Sequence, residues 1–359
     1  MCSSDLFGFC KAHAAAFALP TYQSAWLKRH HTAAFLAGVL THDPGMYPKR
    51  VILDEARQWG IEIAPIDINI SDQNYRVEKI DVRSNTRLPY TAPNTASTGA
   101  PLTLPDARGY AIRVGLSDLR GINEREIESI IAARPYIDLA DFVYRSGASR
   151  PTTEGLVELG AFDRLHGAEL NRRDLALHLT DLYRLTGKSP AILRSQMSLE
   201  LIPETLEPSG LPRHSDGERV QSEMNLLGMD VTHHVLHFYG DFLNAIGAVR
   251  SADLIHHRAG ASLLVAGVKV AMQTPPVRSG RRVIFLTLDD GHGCSDATFF
   301  ENVQESHAPI LYSASLLLVR GELRRTGPRG VSLRATAAWD LAASYEKWRN
   351  LPDRESAHG

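Results

Sequence analysis

Cysteine is almost absent. Cys2, Cys10 and Cys294 are the three in 359 residues, scattered and never spaced C-x-x-C. That argues against a disulfide framework or a thiolate zinc site and suits a reducing cytoplasm. No apolar run approaches the ~18 residues of a membrane-spanning helix, so no membrane contact is expected. The N-terminus carries Asp5 and no basic-then-apolar order, unlike a signal peptide. A net charge of −2 leaves no global basic field, so any nucleic-acid binding must rest on local patches. The motifs G-x-x-x-x-G-K-[ST], G-x-S-x-G and H-E-x-x-H are all missing. Asp67, in Pro65-Ile66-Asp67-Ile68-Asn69, lacks the second carboxylate that two-metal chemistry needs, because Asn69 holds the partner position. The 15 histidines include His233, His234 and His237, but no carboxylate or thiolate stands near them at ligand spacing. No catalytic residue and no metal site are assigned.

What is present is an ordinary globular composition, 43% hydrophobic and 22% charged, long enough for two or three domains. Residues 112–131 read as helix, tight hairpin, helix, with the bend at Gly121-Ile122-Asn123. Gly121 supplies a backbone without Cβ, and Asn123 is the residue that best tolerates a left-handed conformation after glycine. The second helix would then present its first amides and its positive dipole end outward, a sequence-blind phosphate site. Arg120 and Arg125 flank the bend, but Asp118, Glu124, Glu126 and Glu128 offset them, so backbone amides must carry most of the contact. Simple packing of two helices is the competing reading of the same residues.

Elsewhere the periodicity predicts helices over 11–19 and 22–40, with Pro20 breaking the run, and over 47–59. Residues 61–63 and 66–70 alternate like short strands. Residues 85–105, rich in Thr, Pro, Asn, Ala, Ser and Gly, form a linker or loop. Helices follow over 135–143, 152–159, 171–185 and 217–229, with an irregular Pro-rich stretch over 188–212. The period then changes to two. Strands over 263–272, 282–288, 295–300, 316–324 and 331–335, with a helix or loop over 301–309, match a five-stranded Greek-key OB barrel. Between Ser262 and Trp339 nine basic residues face six acidic ones. Lys269, Arg278, Arg281, Arg282, Arg324 and Arg325 cluster where OB loops frame a single-strand groove. Phe285, Phe299 and Phe300 offer a stacking face, of which alternation assigns two to the barrel core.

The order of these parts resembles the bacterial C-family DNA polymerases over 7–341. Residues 7–19, 22–28 and 33–37 are similar to the family's fingers. The unit ending Leu159-Gly160-Ala161-Phe162-Asp163 resembles its helix-hairpin-helix domain. Residues 227–234 and 283–290 resemble the segments that enter and build its OB domain. Leu227-Gly228-Met229-Asp230-Val231 and Ile63-Ala64-Pro65-Ile66-Asp67-Ile68-Asn69 favour the error-prone branch, related to the DNA polymerase III alpha subunit. The resemblance implies a C-terminal portion of such a polymerase, a multidomain α plus β chain. Its parts are a fingers segment over 1–84, a linker over 85–105, a helix-hairpin-helix domain over 106–167, a helical connector over 168–245, an OB fold over 246–345 and a tail over 346–359. It implies translesion DNA synthesis from deoxynucleoside triphosphates with magnesium in the full-length family. The catalytic acids belong to a palm domain ahead of the fingers, so this chain alone is expected to be inactive and to hold no cofactor. Lys11 and His13, with Lys28 and Arg29 nearby, would face the incoming nucleotide or the DNA backbone. Two departures stand in the fingers, Ala12 before His13 and Pro20 within a helix. Implied partners are duplex DNA at the hairpin, single strands at the barrel, and replication or translesion accessory proteins in the cytoplasm. A stand-alone single-strand binding or scaffold protein is the alternative.

Overall fold

Two hydrophobic cores organise the chain in its computed structural model, which describes residues 11–43, 45, 47–81, 107–167, 169–185, 206–275, 282–327 and 330–351. The expected linker over 85–105, together with Arg278 and Arg281, lies outside the described residues.

The first core belongs to a helical body. Helices α1 (Lys11–His30), α2 (Thr32–His42) and α3 (Lys49–Gln58) lead into strand β1 (Glu62–Ala64). Strands β2 (Arg76–Lys79) and β3 (Tyr110–Arg113) complete a small sheet, with β3 in the middle, parallel to β1 and antiparallel to β2. Helices α4 (Glu124–Ala132), α5 (Leu139–Arg145), α6 (Arg150–Glu158), α7 (Arg172–Leu185) and α8 (Asp216–Leu226) follow. One continuous core runs through them, from Ala33 and Leu36 through Ile112, Phe142 and Phe162 to Met229 and Val231. The expected boundaries at 84, 106 and 167 therefore separate no cores. Short helices and strands of three or four residues bury too little surface to stand alone, so they share one interior.

Several local expectations change. Helix α1 continues through Pro20, and the chain breaks instead at His31. None of the residues of α1 is buried, so the carbonyl that loses its partner at Pro20 can turn to water. The break at His31 lets α2 bury Ala33, Leu36, Ala37 and Leu40. Residues 66–70 form a turn and not a strand. The Asp67 carbonyl accepts from the Ile70 and Ser71 amides, and its carboxylate accepts from the Asn69 amide at 2.9 Å. The first arm of the hairpin unit is also not a helix. Residues 110–113 are strand β3, followed by one 3-10 turn at Leu116–Asp118. Pairing with β1 and β2 makes the switch, and Gly115 lets the chain pass close to Gln73, where a Cβ would meet the carbonyl oxygen at 2.6 Å.

The second core fills a closed barrel of β4 (Ser262–Gln273), β5 (Ile284–Asp289), β6 (Cys294–Phe299), β7 (Leu316–Thr326) and β8 (Gly330–Asp340), in the order β4-β5-β6-β8-β7. Leu263 and Val265 of β4 bury their side chains in this core. Two residues further on stands the small Gly267. A Cβ there would meet that of Leu288 at 2.5 Å, so β4 and β5 cross closely at this point. Helix α10 (Glu301–Ser313) plugs one end between β6 and β7, and α11 (Leu341–Arg349) follows β8. A smaller cluster of Leu236, Phe242, Ala266, Leu318 and Leu341 packs the short helix α9 (Gly240–Ala245) against the barrel.

Candidate nucleic-acid interface

The hairpin is built from Leu119, buried as its anchor, to Asn123. Gly121 has φ +87 and is the one left-handed residue of the bend, exposed and with open space where a Cβ would point. Asn123 is not left-handed. It is extended at φ −113 and caps α4, accepting from the Glu126 amide at 3.1 Å while Glu126 accepts from the Asn123 amide at 3.1 Å. This capping box satisfies the third amide of the helix. The amides of Glu124 and Arg125, on the exposed first turn, have no acceptor among the described residues. Those two donors and the dipole end remain for an anion.

Glu126 does more than cap. Its other oxygen accepts from the Ser149 amide at 2.8 Å and the Thr152 hydroxyl at 3.0 Å. Burial opposes the charge, but these hydrogen bonds, with that of Asn123, outweigh it and hold the carboxyl below its usual range. The charged side chain thus ties the first hairpin to a second one between α5 and α6, where Gly147 has φ +70 and Gly147, Ser149 and Arg150 are exposed. The sequence reading missed this second bend. Gly147 between two helices was the available signal.

Of the flanking arginines, Arg125 is exposed, whereas Arg120 is partly committed. Its amide donates to the Leu226 carbonyl at 2.9 Å and its Nη1 to the Asn225 carbonyl at 2.7 Å, closing the end of α8. Ile122 is half-buried against the core. Lys11 and His13 are exposed near the start of α1, while Lys28 and Arg29 sit near its end. Some 15 residues of helix at about 1.5 Å rise place the two pairs more than about 20 Å apart, so they form no single site. Lys28 also forms an ion pair with Glu55 of α3.

The barrel residues sort differently from expectation. Phe299 is fully buried in the barrel core. Lys269 donates to the Leu311 and Tyr312 carbonyls at 2.8 and 3.2 Å, closing the end of α10. Arg325 donates to the carbonyls of Ile255 and His257, and so braces the segment before β4. Arg282 is exposed at the entry to β5. What the fold gathers outside is a row across three strands: Phe285 pairs with Thr298 on β6, and Thr298 with Arg334 on β8. Phe285 is 46% exposed. The Arg334 and Arg324 guanidiniums lie over the Phe300 ring at 5.4 and 5.9 Å. Two aromatic rings beside two exposed arginines are the elements of a stacking platform with phosphate partners. Arg334 was missed because its place beside Phe300 depends on the parallel β6–β8 pairing, which joins strands far apart in sequence.

The magnesium implied by the family resemblance finds no matching ligand set here. Asp67 is held in its turn, and among the described residues one trio of metal-ligating type exists, Asp54, His234 and Asp289. Two guanidiniums crowd that trio, so it does not fit a dication. His233 and His237 stack on each other at 4.7 Å.

Fold and site together define a nucleic-acid-binding protein of two modules. A family model described as a helix-hairpin-helix motif matches residues 60–175, and one described as an OB-fold nucleic acid binding domain matches residues 263–341. The chain is 35% identical to an error-prone DNA polymerase of Symbiobacterium thermophilum over 333 residues, covering 86% of this chain and 29% of that protein. It is 32% identical to an error-prone DNA polymerase of Pseudomonas fluorescens, covering 89% and 29%. It is 28% identical to the DNA polymerase III subunit alpha of Pasteurella multocida, covering 94% and 28%. The chain belongs with the bacterial error-prone DNA polymerases and their DNA polymerase III alpha relatives, and matches a C-terminal portion of them. It spans under a third of the length of these relatives. Among the described residues, no helix is long and apolar enough to cross a membrane.

Proposed function

We propose that this chain is the DNA-holding part of an error-prone polymerase acting in translesion synthesis and repair in the bacterial cytoplasm. The twin hairpins grip duplex phosphates through the first amides of α4 and through exposed Arg125 and Arg150. The barrel platform of Phe285, Phe300, Arg324 and Arg334 takes the single strand beyond the duplex. Nucleotide transfer itself, with its magnesium, is the work of the whole polymerase and is not routed through the residues described here. The observation that carries this reading is the Glu126 carboxylate, which locks two exposed glycine bends side by side at 2.8 to 3.1 Å in a chain that also carries a cationic aromatic barrel face.

The test is binding to three labelled DNAs, a blunt duplex, a single strand and a duplex with a single-stranded overhang, measured over a salt series. The overhang substrate should bind most tightly, with a salt slope steeper than either part alone, because each neutralised phosphate adds about 0.9 on duplex and about 0.7 on single strands. Equal affinity for all three DNAs would refute the division of labour.

A further inference from the structure

The helical body and the barrel meet at residues 232–235. The core of the body ends at Val231, and the cluster packed on the barrel begins at Leu236. His234 lies between, and two carboxylates face its Nε2, Asp54 from α3 of the helical body and Asp289 from the end of β5 in the barrel. His234 Nε2 stands 3.8 Å from Asp54 Oδ2 and 3.7 Å from Asp289 Oδ2, and Arg50 Nη2 stands 3.7 Å from the same Asp289 oxygen. All four of these atoms are buried without a hydrogen-bond partner among the described residues. Asp54 and Asp289 are 2% and 1% exposed.

A metal ion does not suit this gap. His234 Nδ1 accepts from the Leu236 amide at 3.2 Å, which leaves the ring proton on Nε2, the atom facing both carboxylates. A metal-bound histidine has the reverse arrangement, with its outer nitrogen donating. Charge points the same way. The carboxylates of Asp54, Asp230 and Asp289 face the guanidiniums of Arg50 and Arg57, which leaves one negative charge in excess. One proton balances it, and a dication would overshoot. Asp230 Oδ1 and Arg57 Nε at the joint are also buried without a hydrogen-bond partner among the described residues. Asp290 accepts from Ser251 and from the amides of His292 and Gly293, and the Cys294 thiol is pushed up to about 12, by burial first and then by Asp289.

We infer that this joint is a proton-held latch, in which Asp54 of the helical body, Asp289 of the barrel and His234 between them hold one balancing proton, and the two carboxylates part when it is lost. Burial, and then Asp289 and Asp230, push the Asp54 carboxyl up to about 7 against the pull of Arg57 and His234. Burial pushes the Asp289 carboxyl up, but the facing His234 outweighs it and holds Asp289 below the usual carboxylate range. A cavity of about 360 Å³ is walled by His234, Arg57 and Asp290, next to the pair but not lined by it. The sign follows from linkage. Closing the joint raises the Asp54 pKa, so closure takes up a proton. The closed form is fully favoured below the ordinary carboxylate range. It weakens by about tenfold per pH unit until the raised value is passed. Near neutral pH the barrel is therefore poised to swing relative to the hairpins.

The test is amide hydrogen exchange of the full chain from pH 5.5 to 8.5, corrected for intrinsic rates, together with small-angle scattering. The Val235 amide, bonded to Asp230 at 3.0 Å, and the Gly291 amide, bonded to Asp289 at 3.0 Å, should lose protection by up to about 30-fold between pH 5.5 and 7, with an increase in radius. Amides inside the barrel should not change, which separates joint opening from unfolding. Asp54→Asn mimics the protonated side chain and should keep the joint closed at pH 8.5. Asp289→Asn should also abolish the pH response. A wild-type profile identical to that of Asp54→Asn would overturn the latch. So would stoichiometric uptake of Zn²⁺ or Mn²⁺ that restores protection at high pH.

Discussion

Removing the Phe285 ring is the sharpest probe of the barrel face. The side chain is 46% exposed and lies outside the barrel core, so Phe285→Ala should leave the melting temperature nearly unchanged. Base stacking on an exposed ring is worth about 1–3 kcal/mol, so single-strand affinity should fall by roughly 5- to 150-fold. The arginines give an independent reading. Arg324 and Arg334 reach over Phe300 and are exposed, and each phosphate they neutralise contributes about 0.7 to the log-log salt slope. The double change to alanine should therefore flatten the slope by about 1.4. Arg325→Ala is the control. That guanidinium is spent on the Ile255 and His257 carbonyls, so its loss should lower stability and leave the slope alone. Fluorescence anisotropy with labelled oligothymidine between low and moderate salt measures all four proteins. If Arg325→Ala flattens the slope as much as the double variant, or if Phe285→Ala binds normally, the platform is wrongly placed.

Gly121→Val should weaken duplex binding at least several-fold by straining a φ of +87, without a clash, and with circular dichroism unchanged; undiminished affinity would take the hairpin out of the interface. Glu126→Gln should cost about 1–3 kcal/mol at neutral pH, since the carboxylate serves both hairpins. Because the folded-state pKa of Glu126 is lowered, its contribution is present above the usual glutamate range and is lost as pH falls through the lowered value. Denaturant melts at pH 7 and pH 3 should show the variant and wild type converging in acid. Phe299→Ala should cost about 3–5 kcal/mol and unfold the barrel first in calorimetry, in contrast to Phe285→Ala.

The barrel was the most legible part of the chain. The β-rich runs expected over 263–272, 282–288 and 316–324 became β4, β5 and β7; β5 alternates from Ile284 to Leu286, whereas β4 at Val265–Val268 and β7 at Leu317–Val319 are buried on successive residues because both faces are covered. The bend at Gly121 was legible for a similar reason, because a left-handed residue on an exposed turn narrows the choice to glycine. Asn123 was misjudged in detail because the same side chain serves a left-handed turn or an N-cap equally well, and only the distance to Glu126 decides between them. The first hairpin arm misled for a different reason. Ile112 and Val114 suit a helix or a buried strand, and the choice was made by β1 and β2, which pair with β3 from a distance.

Sequence alone determined the presence of the hairpin and the barrel, since both rest on interactions within a few residues or on a simple alternation. Tertiary structure decided which cations remain available. Lys269, Arg120 and Arg325 are committed to carbonyls at the ends of α10 and α8 and before β4, while Arg324 and Arg334 lie over the Phe300 ring. It also brought Asp54, His234 and Asp289 within 4.8 Å of one another across a joint that no sequence spacing reveals.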